Sequence, residues 1–507
     1  MASRFPVVVV QAFRPARLAD LKVRTTSAIA IALVVCGAVS AAAASLPLVD
    51  AVKDGNHAAV QSLLRQKTNV NAAEADGTTA LHWAVREDDA ELVRVLLRAG
   101  ANVRAANRYG VTPLQLAAVN GSVATAQSLL DAGADPNAVL PEGETILMTA
   151  ARTGQPALLT LLLDRGADLH AREKWYGETA LIWAVAENHT DAVRVLVERG
   201  ADVNETSASL TFARRRSGQS ILSLGKWTPL MYAARENALD AGRVLVASHA
   251  GLNVTDPDGA TALVIAIINA NYDFAAFLLD AGADPNIVDN DAGMGPLYAA
   301  IDMHRLAIGH GRPNPRPAGT LNAVDIVRRL LDRNANPNAV LKAPIFQRQH
   351  TIGDATLGKG ATPFLRAAKS GDVEVMTLLL DAGADPWATL SNTNALMFSA
   401  GFGWRDGSPI APSYDQGSPQ EATQAIGLLL DLGLDINAVN DNGDTALHVA
   451  VTGRGSPQIV RFLITRGANL QAKNKRGQTP LSAATASRKE LGPLIDLLRA
   501  AGSAPRP

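Results

Sequence analysis

Tyr109-Gly110-Val111-Thr112-Pro113-Leu114-Gln115-Leu116-Ala117-Ala118, read with Gly121, Leu129-Leu130 and Gly133-Ala134-Asp135-Pro136-Asn137 behind it, carries the architecture of the whole chain. Thr112 is placed to cap a helix with its hydroxyl, and Pro113 suits the first helical position, where no amide hydrogen is needed. Leu114, Ala117 and Ala118 fall on one face at helical spacing, and the alanines let a neighbouring helix approach closely. A second helix carries Leu129-Leu130. Gly133 ends it, because glycine takes the left-handed conformation of a helix C-terminus at little cost. Asp135, Pro136 and Asn137 make the turn that leads onward.

The same unit then returns along the chain. Its capping position recurs at Thr79, Thr112, Thr145, Thr179, Thr228, Thr261, Gly295, Thr362, Asn394, Thr445 and Thr479, with spacings of 32 to 34 residues except for intervals of 49, 67 and 51. One such unit cannot bury its apolar face alone, so stability must come from stacking. The pattern resembles the ankyrin repeat, over about residues 48–500. The resemblance implies an all-α solenoid of about 12 helix-turn-helix units whose role is to hold a protein partner. Residues 45–75 read as an N-terminal capping repeat, with Val60, Leu63 and Leu64 in place but no Thr-Pro-Leu motif. Residues 76–500 hold the other repeats, in which Leu494, Ile495, Leu497 and Leu498 close the stack, and 501–507 form a tail. Units are numbered with the capping repeat as the first.

Composition agrees with many short helices packed through small residues: 47% hydrophobic, 19% charged and only 4% aromatic. A net charge of -1 offers no bulk attraction to nucleic acid. Residues 1–44 read as a targeting segment. Arg4, Arg14, Arg17, Lys22 and Arg24 lead into the apolar run Ala28 to Val39, and Ala42-Ala43-Ala44 supplies a small-x-small cleavage pattern. The expectation is an exported protein, periplasmic or secreted, with a membrane anchor as the alternative if the segment is retained. Cleavage would remove the lone Cys36, excluding disulfides and thiolate chemistry, and would bring the net charge to -5.

The long intervals mark inserts near 205–226, 304–320, 340–358 and 402–419. They are of two kinds. The first and third lengthen the turn between units and resemble each other. Phe212-Ala213-Arg214 and Phe346-Gln347-Arg348 lie equally far before Thr228 and Thr362, and both inserts leave through Leu-Gly-Lys. Three helix layers of 8–10 Å would place them roughly 30 Å apart on one edge, with a groove of units six to eight between them. Phe212, Arg214, Trp227, Tyr232, Phe346 and Arg348 are therefore the candidate partner-binding residues. The other reading of the two phenylalanines is plain cover for the turn edge. The second and fourth inserts, Pro/Gly-rich, lengthen the loop between the helices of units eight and ten and read as spacers or edge cover. Ser418 with Glu421 forms a capping box that restarts the helix.

No residue set points to catalysis, a metal or a cofactor. His82 and His448 share one place in the motif, where an imidazole ties the turn. The near phosphate loop Gly353 to Lys359 has Gly360 where Ser or Thr would hold magnesium, and Asp354 inside it. An enzyme or enzyme subunit with a site built by the inserts is the alternative function, resting on His350, Asp354, Ser217 and Ser220 scattered over two loops. Trp83, Trp183, Tyr232 and Phe398 occupy one helix position of mixed character, expected to be partly exposed towards the groove; the rings there read first as packing and second as anchors for a partner.

Overall fold

The computed structural model describes residues 46–210, 224–305, 316–344, 356–403, 417–487 and 491–503. The expected export segment and Cys36 lie outside them. Among the described residues are twelve helix pairs, from Pro47–Lys53 with His57–Arg65 to Pro480–Ala486 with Gly492–Ser503. The first helix of each unit packs on the first helix of the next without a break along the chain, and second helices form a row behind them. The result is an all-α solenoid of stacked pairs.

Each unit is built as its sequence prescribes. Thr112 caps Pro113–Asn120 by accepting from the Gln115 amide, and Thr145, Thr179, Thr228, Thr261 and Thr362 do the same for their helices. Each such cap is worth about 1 kcal/mol. Leu114, Ala117 and Ala118 are fully buried. Gly133 and Gly166 follow their second helices at φ of +89° and +83°. Asn137 does more than turn the chain. Its amide donates to the Gly166 carbonyl at 2.8 Å and accepts from the Asp168 amide at 2.8 Å, stitching one unit to the next.

The two motif histidines are buried ties. His82 Nδ1 accepts from the Thr79 amide at 3.2 Å, and its Nε2 meets the Val111 carbonyl at 3.1 Å. His448 makes the same pair of contacts with Thr445 and the Gln478 carbonyl. Burial holds the His82 imidazole below its ordinary value, so it stays neutral and serves as donor and acceptor at once.

The turns form a second ladder, which locates the inserts. In one unit after another, the carbonyl three residues before the capping position accepts an amide from the next turn: Asp76 from Arg108, Glu142 from Lys174, Asp258 from Asn290, Asn442 from Lys475. At the first turn insert the Tyr176 carbonyl accepts from Ala208, and at the second the Ala292 carbonyl accepts from Lys342. Ala208 and Lys342 stand equally far before Thr228 and Thr362. The returning strands match too: Ser207 donates to Trp227 at 3.0 Å, and Leu341 donates to Ala361 at 2.9 Å. Both inserts, called fingers below, therefore leave and rejoin the tip of a turn through matching hydrogen-bonded bases. In the first, Ser209–Leu210 continues the pairing with Leu224–Gly225 as a short antiparallel ribbon.

The loops between helices in units eight and ten tie neighbouring units together at their described ends. Arg305 reaches Asp372 of unit nine at 3.3 Å and Glu421 of unit ten at 2.8 Å. Leu321 donates its amide to Asp273 of unit seven at 3.0 Å. The Ser418–Glu421 capping box forms as expected. The mixed helix position divides. Trp83 and Trp183 are partly exposed as expected, whereas Tyr232, Ile265, Arg366 and Phe398 are all buried, in line with packing.

Candidate functional site in the turn and first-helix groove

Two rows of groups face each other on one side of the solenoid, the turns and the first helices. Between them, at units four to six, lies a cavity of about 530 Å³. The sequence-based expectation put the recognition groove between the fingers, at units six to eight. This cavity lies on the near side of the first finger, and aromatic and acidic side chains dominate its lining.

Its floor is the turn of unit five. Glu173 is buried and accepts three backbone amides, from Trp175 at 2.6 Å, Tyr176 at 2.7 Å and Glu178 at 3.0 Å. These bonds hold Trp175 out at the rim, where it is 65% exposed. The back wall is Trp183 on the first helix of unit five and Tyr232 on that of unit six. Tyr232 donates its hydroxyl to Glu178 Oε1 at 2.7 Å. Burial raises the Glu178 carboxyl above its ordinary value, with the nearby Glu173 adding to the rise; Tyr232, Arg235 and Trp183 act against it. The Trp183 indole nitrogen is buried beside Glu178 without a hydrogen bond of normal geometry.

Charge around the cavity is unbalanced. Five carboxylates, of Glu142, Glu144, Glu173, Glu178 and Glu187, line it against the guanidinium groups of Arg152 and Arg235. Both arginines are already engaged. Arg152 pairs with Glu144 at 3.2 Å and lies over Trp183, while Arg235 pairs with Glu236 at 2.6 Å and lies over Tyr232. Among the described residues the Glu142 and Glu187 carboxylates make no hydrogen bond or ion pair.

Of the residues expected to hold a partner, the structure brings two together. Trp227 and Tyr232 meet edge to face with ring centres 5.6 Å apart, and Trp227 donates to Asp256 at 3.1 Å. Tyr232 is buried yet lines the cavity, so it supports the site from behind. Phe212, Arg214, Phe346 and Arg348 lie outside the described residues, as do His350, Asp354, Ser217 and Ser220. Sequence reading passed over the acidic half of the cavity. Its signal is local: unit five carries Glu173, Glu178 and Glu187 around its capping threonine, where unit three has Ala106, Val111 and Asn120.

Comparison with known proteins agrees with this architecture. Ankyrin-repeat family patterns match residues 48–140, 132–207 and 215–289 as groups of three copies, 429–484 as many copies, and 359–389 as one repeat. The stretches between, 290–358 and 390–428, hold the two helix-linking inserts and the second finger, yet keep their helix pairs. The B-cell lymphoma 3 protein homolog of Mus musculus is 30% identical over 276 residues, 50% of this chain and 54% of that protein. The E3 ubiquitin-protein ligase KEG of Arabidopsis thaliana is 30% identical over 301 residues, 54% of this chain but 16% of the ligase. The human ASB11 ankyrin repeat domain, a crystal structure, is 27% identical with a TM-score of 0.37, covering 44% of this chain and 92% of that one. The chain thus spans about half of the B-cell lymphoma 3 protein homolog and a smaller part of the ligase. The repeated capped helix pairs, the turn ladder and the family matches together establish that this chain belongs to the ankyrin-repeat family.

Proposed function

We propose that the protein is an exported scaffold that holds a protein partner in the groove between its turns and first helices, with the two fingers as outer contacts. The observation that carries this reading is the cavity beside the first finger. Tyr176 in its floor accepts the amide of Ala208 at the finger base, so the cavity lies next to the point where the first finger leaves the stack. A rigid helical stack that presents a preformed concave site with aromatic walls suits recognition, because little ordering cost falls on the scaffold when the partner binds. Export rests on the basic and apolar pattern of residues 1–44.

The test begins with capture of the partner by the purified protein from an exported fraction. Affinity and thermal melting are then measured for Phe212→Ala, Phe346→Ala and the double variant. Each single change is expected to weaken binding by about 1 kcal/mol, roughly fivefold, with melting unchanged. Lowered melting with intact affinity of the folded fraction would make the two aromatics edge cover. Mass spectrometry of the protein from cells tests export: a chain still carrying residues 25–40 would reject cleavage.

A further inference from the structure

The register of the repeat shows how this solenoid treats aromatic residues in the groove. Four residues after the capping position stand Trp83, Trp183, Tyr232 and Phe398; seven residues after it stand Lys53, Arg86, Arg152, Arg235 and Lys369, taking Leu46 as the cap of unit one. The two positions meet in two ways. A cation can lie over the ring of the following unit, as Lys53 does over Trp83 at 4.5 Å, Arg152 over Trp183 at 5.1 Å and Lys369 over Phe398 at 5.9 Å. It can also lie over the ring of its own unit, as Arg86 does over Trp83 at 4.9 Å and Arg235 over Tyr232 at 5.0 Å. Such placement is favourable because the ring face carries negative charge density.

In unit five that position is Ala186, and Ala186 lines the cavity. By the same register a cation there would lie over Trp183 of its own unit and Tyr232 of the next. The surrounding carboxylates remain: Glu187 is the neighbouring residue, and Glu142 and Glu187 are without partners among the described residues. Unit two shows the finished arrangement inside one molecule. There Trp83 has Lys53 and Arg86 against its ring, and Glu74 takes both the Trp83 indole N–H at 2.7 Å and Lys53 at 2.6 Å.

We propose that the cavity receives a cationic side chain, a lysine or arginine, of the protein partner, seated between Trp183 and Tyr232 where Ala186 leaves room and neutralised by Glu187 and Glu142. This rests on the partner-holding function proposed above and gives its partner a chemistry. The aliphatic stem of such a side chain would lie along the aromatic walls while its charged end reaches the carboxylates. A neutral side chain of equal length would gain only the first contact.

The experiment uses blocked pentapeptides of glycine with one central lysine, arginine, norleucine or glutamate, titrated into the purified protein by calorimetry. The lysine and arginine peptides are expected to bind saturably in the millimolar range, and the norleucine and glutamate peptides at least tenfold more weakly. Ala186→Arg should seat the protein's own guanidinium in the site and lower lysine-peptide affinity tenfold or more. Glu187→Gln should lower it several-fold. Thermal melting of both variants checks that the stack is intact. Equal binding of the norleucine peptide, unchanged affinity in folded Ala186→Arg, or no saturable heat for lysine at about 10 mM overturns the proposal. The captured partner separates the two levels. If its affinity ignores Ala186→Arg and Glu187→Gln but falls with the finger variants, the cationic reading fails and the scaffold stands. If neither set of variants matters, the groove itself is not where the partner binds.

Discussion

The two fingers leave the turn row through matching hydrogen bonds, yet they stand beside opposite chemistry. Beside the first, at units five and six, the helix position four residues after the cap is Tyr232, and the turn below supplies Glu173 and Glu178. Beside the second, at units eight and nine, the same position is Arg366, 2% exposed, held by Asp302 Oδ1 at 2.9 Å and by the Ser370 hydroxyl. Lys369, 5% exposed, bonds the Thr356 hydroxyl. The first finger thus borders an open, acidic, aromatic site; the second borders a packed core of cations already paired within the chain. One backbone device therefore stands in two settings, with a buried ion pair near its base at unit nine and an open cavity near its base at unit six.

Asp302→Ala tests this contrast most severely. It would take the carboxylate away from the buried Arg366 guanidinium, and a loss of about 3–5 kcal/mol is expected by denaturant unfolding. A loss below about 1 kcal/mol would mean that this region is as open as the first. Tyr232→Phe is the matching change at unit six. Removing the hydroxyl that Glu178 accepts should cost about 1–2 kcal/mol, less than Asp302→Ala because the cavity admits water to the carboxylate.

A more modest change asks whether the finger bases are equivalent. The residue two before the capping threonine is left-handed in both, Lys226 at φ +50° and Gly360 at φ +92°. Lys226→Gly should stabilise by up to about 1 kcal/mol and Gly360→Lys should destabilise by a similar amount, since a side chain is strained there. Melting shifts of the same sign in both variants would show that the bases differ.

Least in size is a dependence on pH. Glu178 faces Glu173 from its own turn, Trp183 from its own helix, and Tyr232 and Arg235 from the helix of unit six. Its folded value lies above its ordinary 4.5 because burial disfavours the charge. A raised folded value means stability present below pH 4.5 and lost as pH rises through the folded value. Glu178→Gln should therefore match the parent protein below that pH and be the more stable of the two at neutral pH. Curves that stay parallel across the range would show that Glu178 is not the buried carboxyl described.

The repeat itself was legible in the sequence because its physics is local. A hydroxyl before a proline caps a helix wherever it occurs, a glycine after a leucine pair ends one, and a tandem period makes both signals unmistakable. The same locality exposed the inserts, their two kinds and the kinship of the fingers, all read from distances to Thr228 and Thr362. What the period could not show is which neighbour each side chain meets. Trp83 and Trp183 hold one position and look alike in sequence, but whether a ring is covered depends on residue seven of its own unit and of the unit before. Arg366 reads as a polar residue on a helix face until the Asp302 of another unit arrives beside it. Those pairings are separated by 29 to 67 residues along the chain, in cases such as Trp227 with Asp256, Arg366 with Asp302 and Arg305 with Asp372, and only stacking brings them together. A solenoid with two fingers is written in the order of the residues. That one finger borders a sealed ion pair and the other an open acidic cavity is settled only when the units stack, because burial and charge balance are properties of neighbours in space.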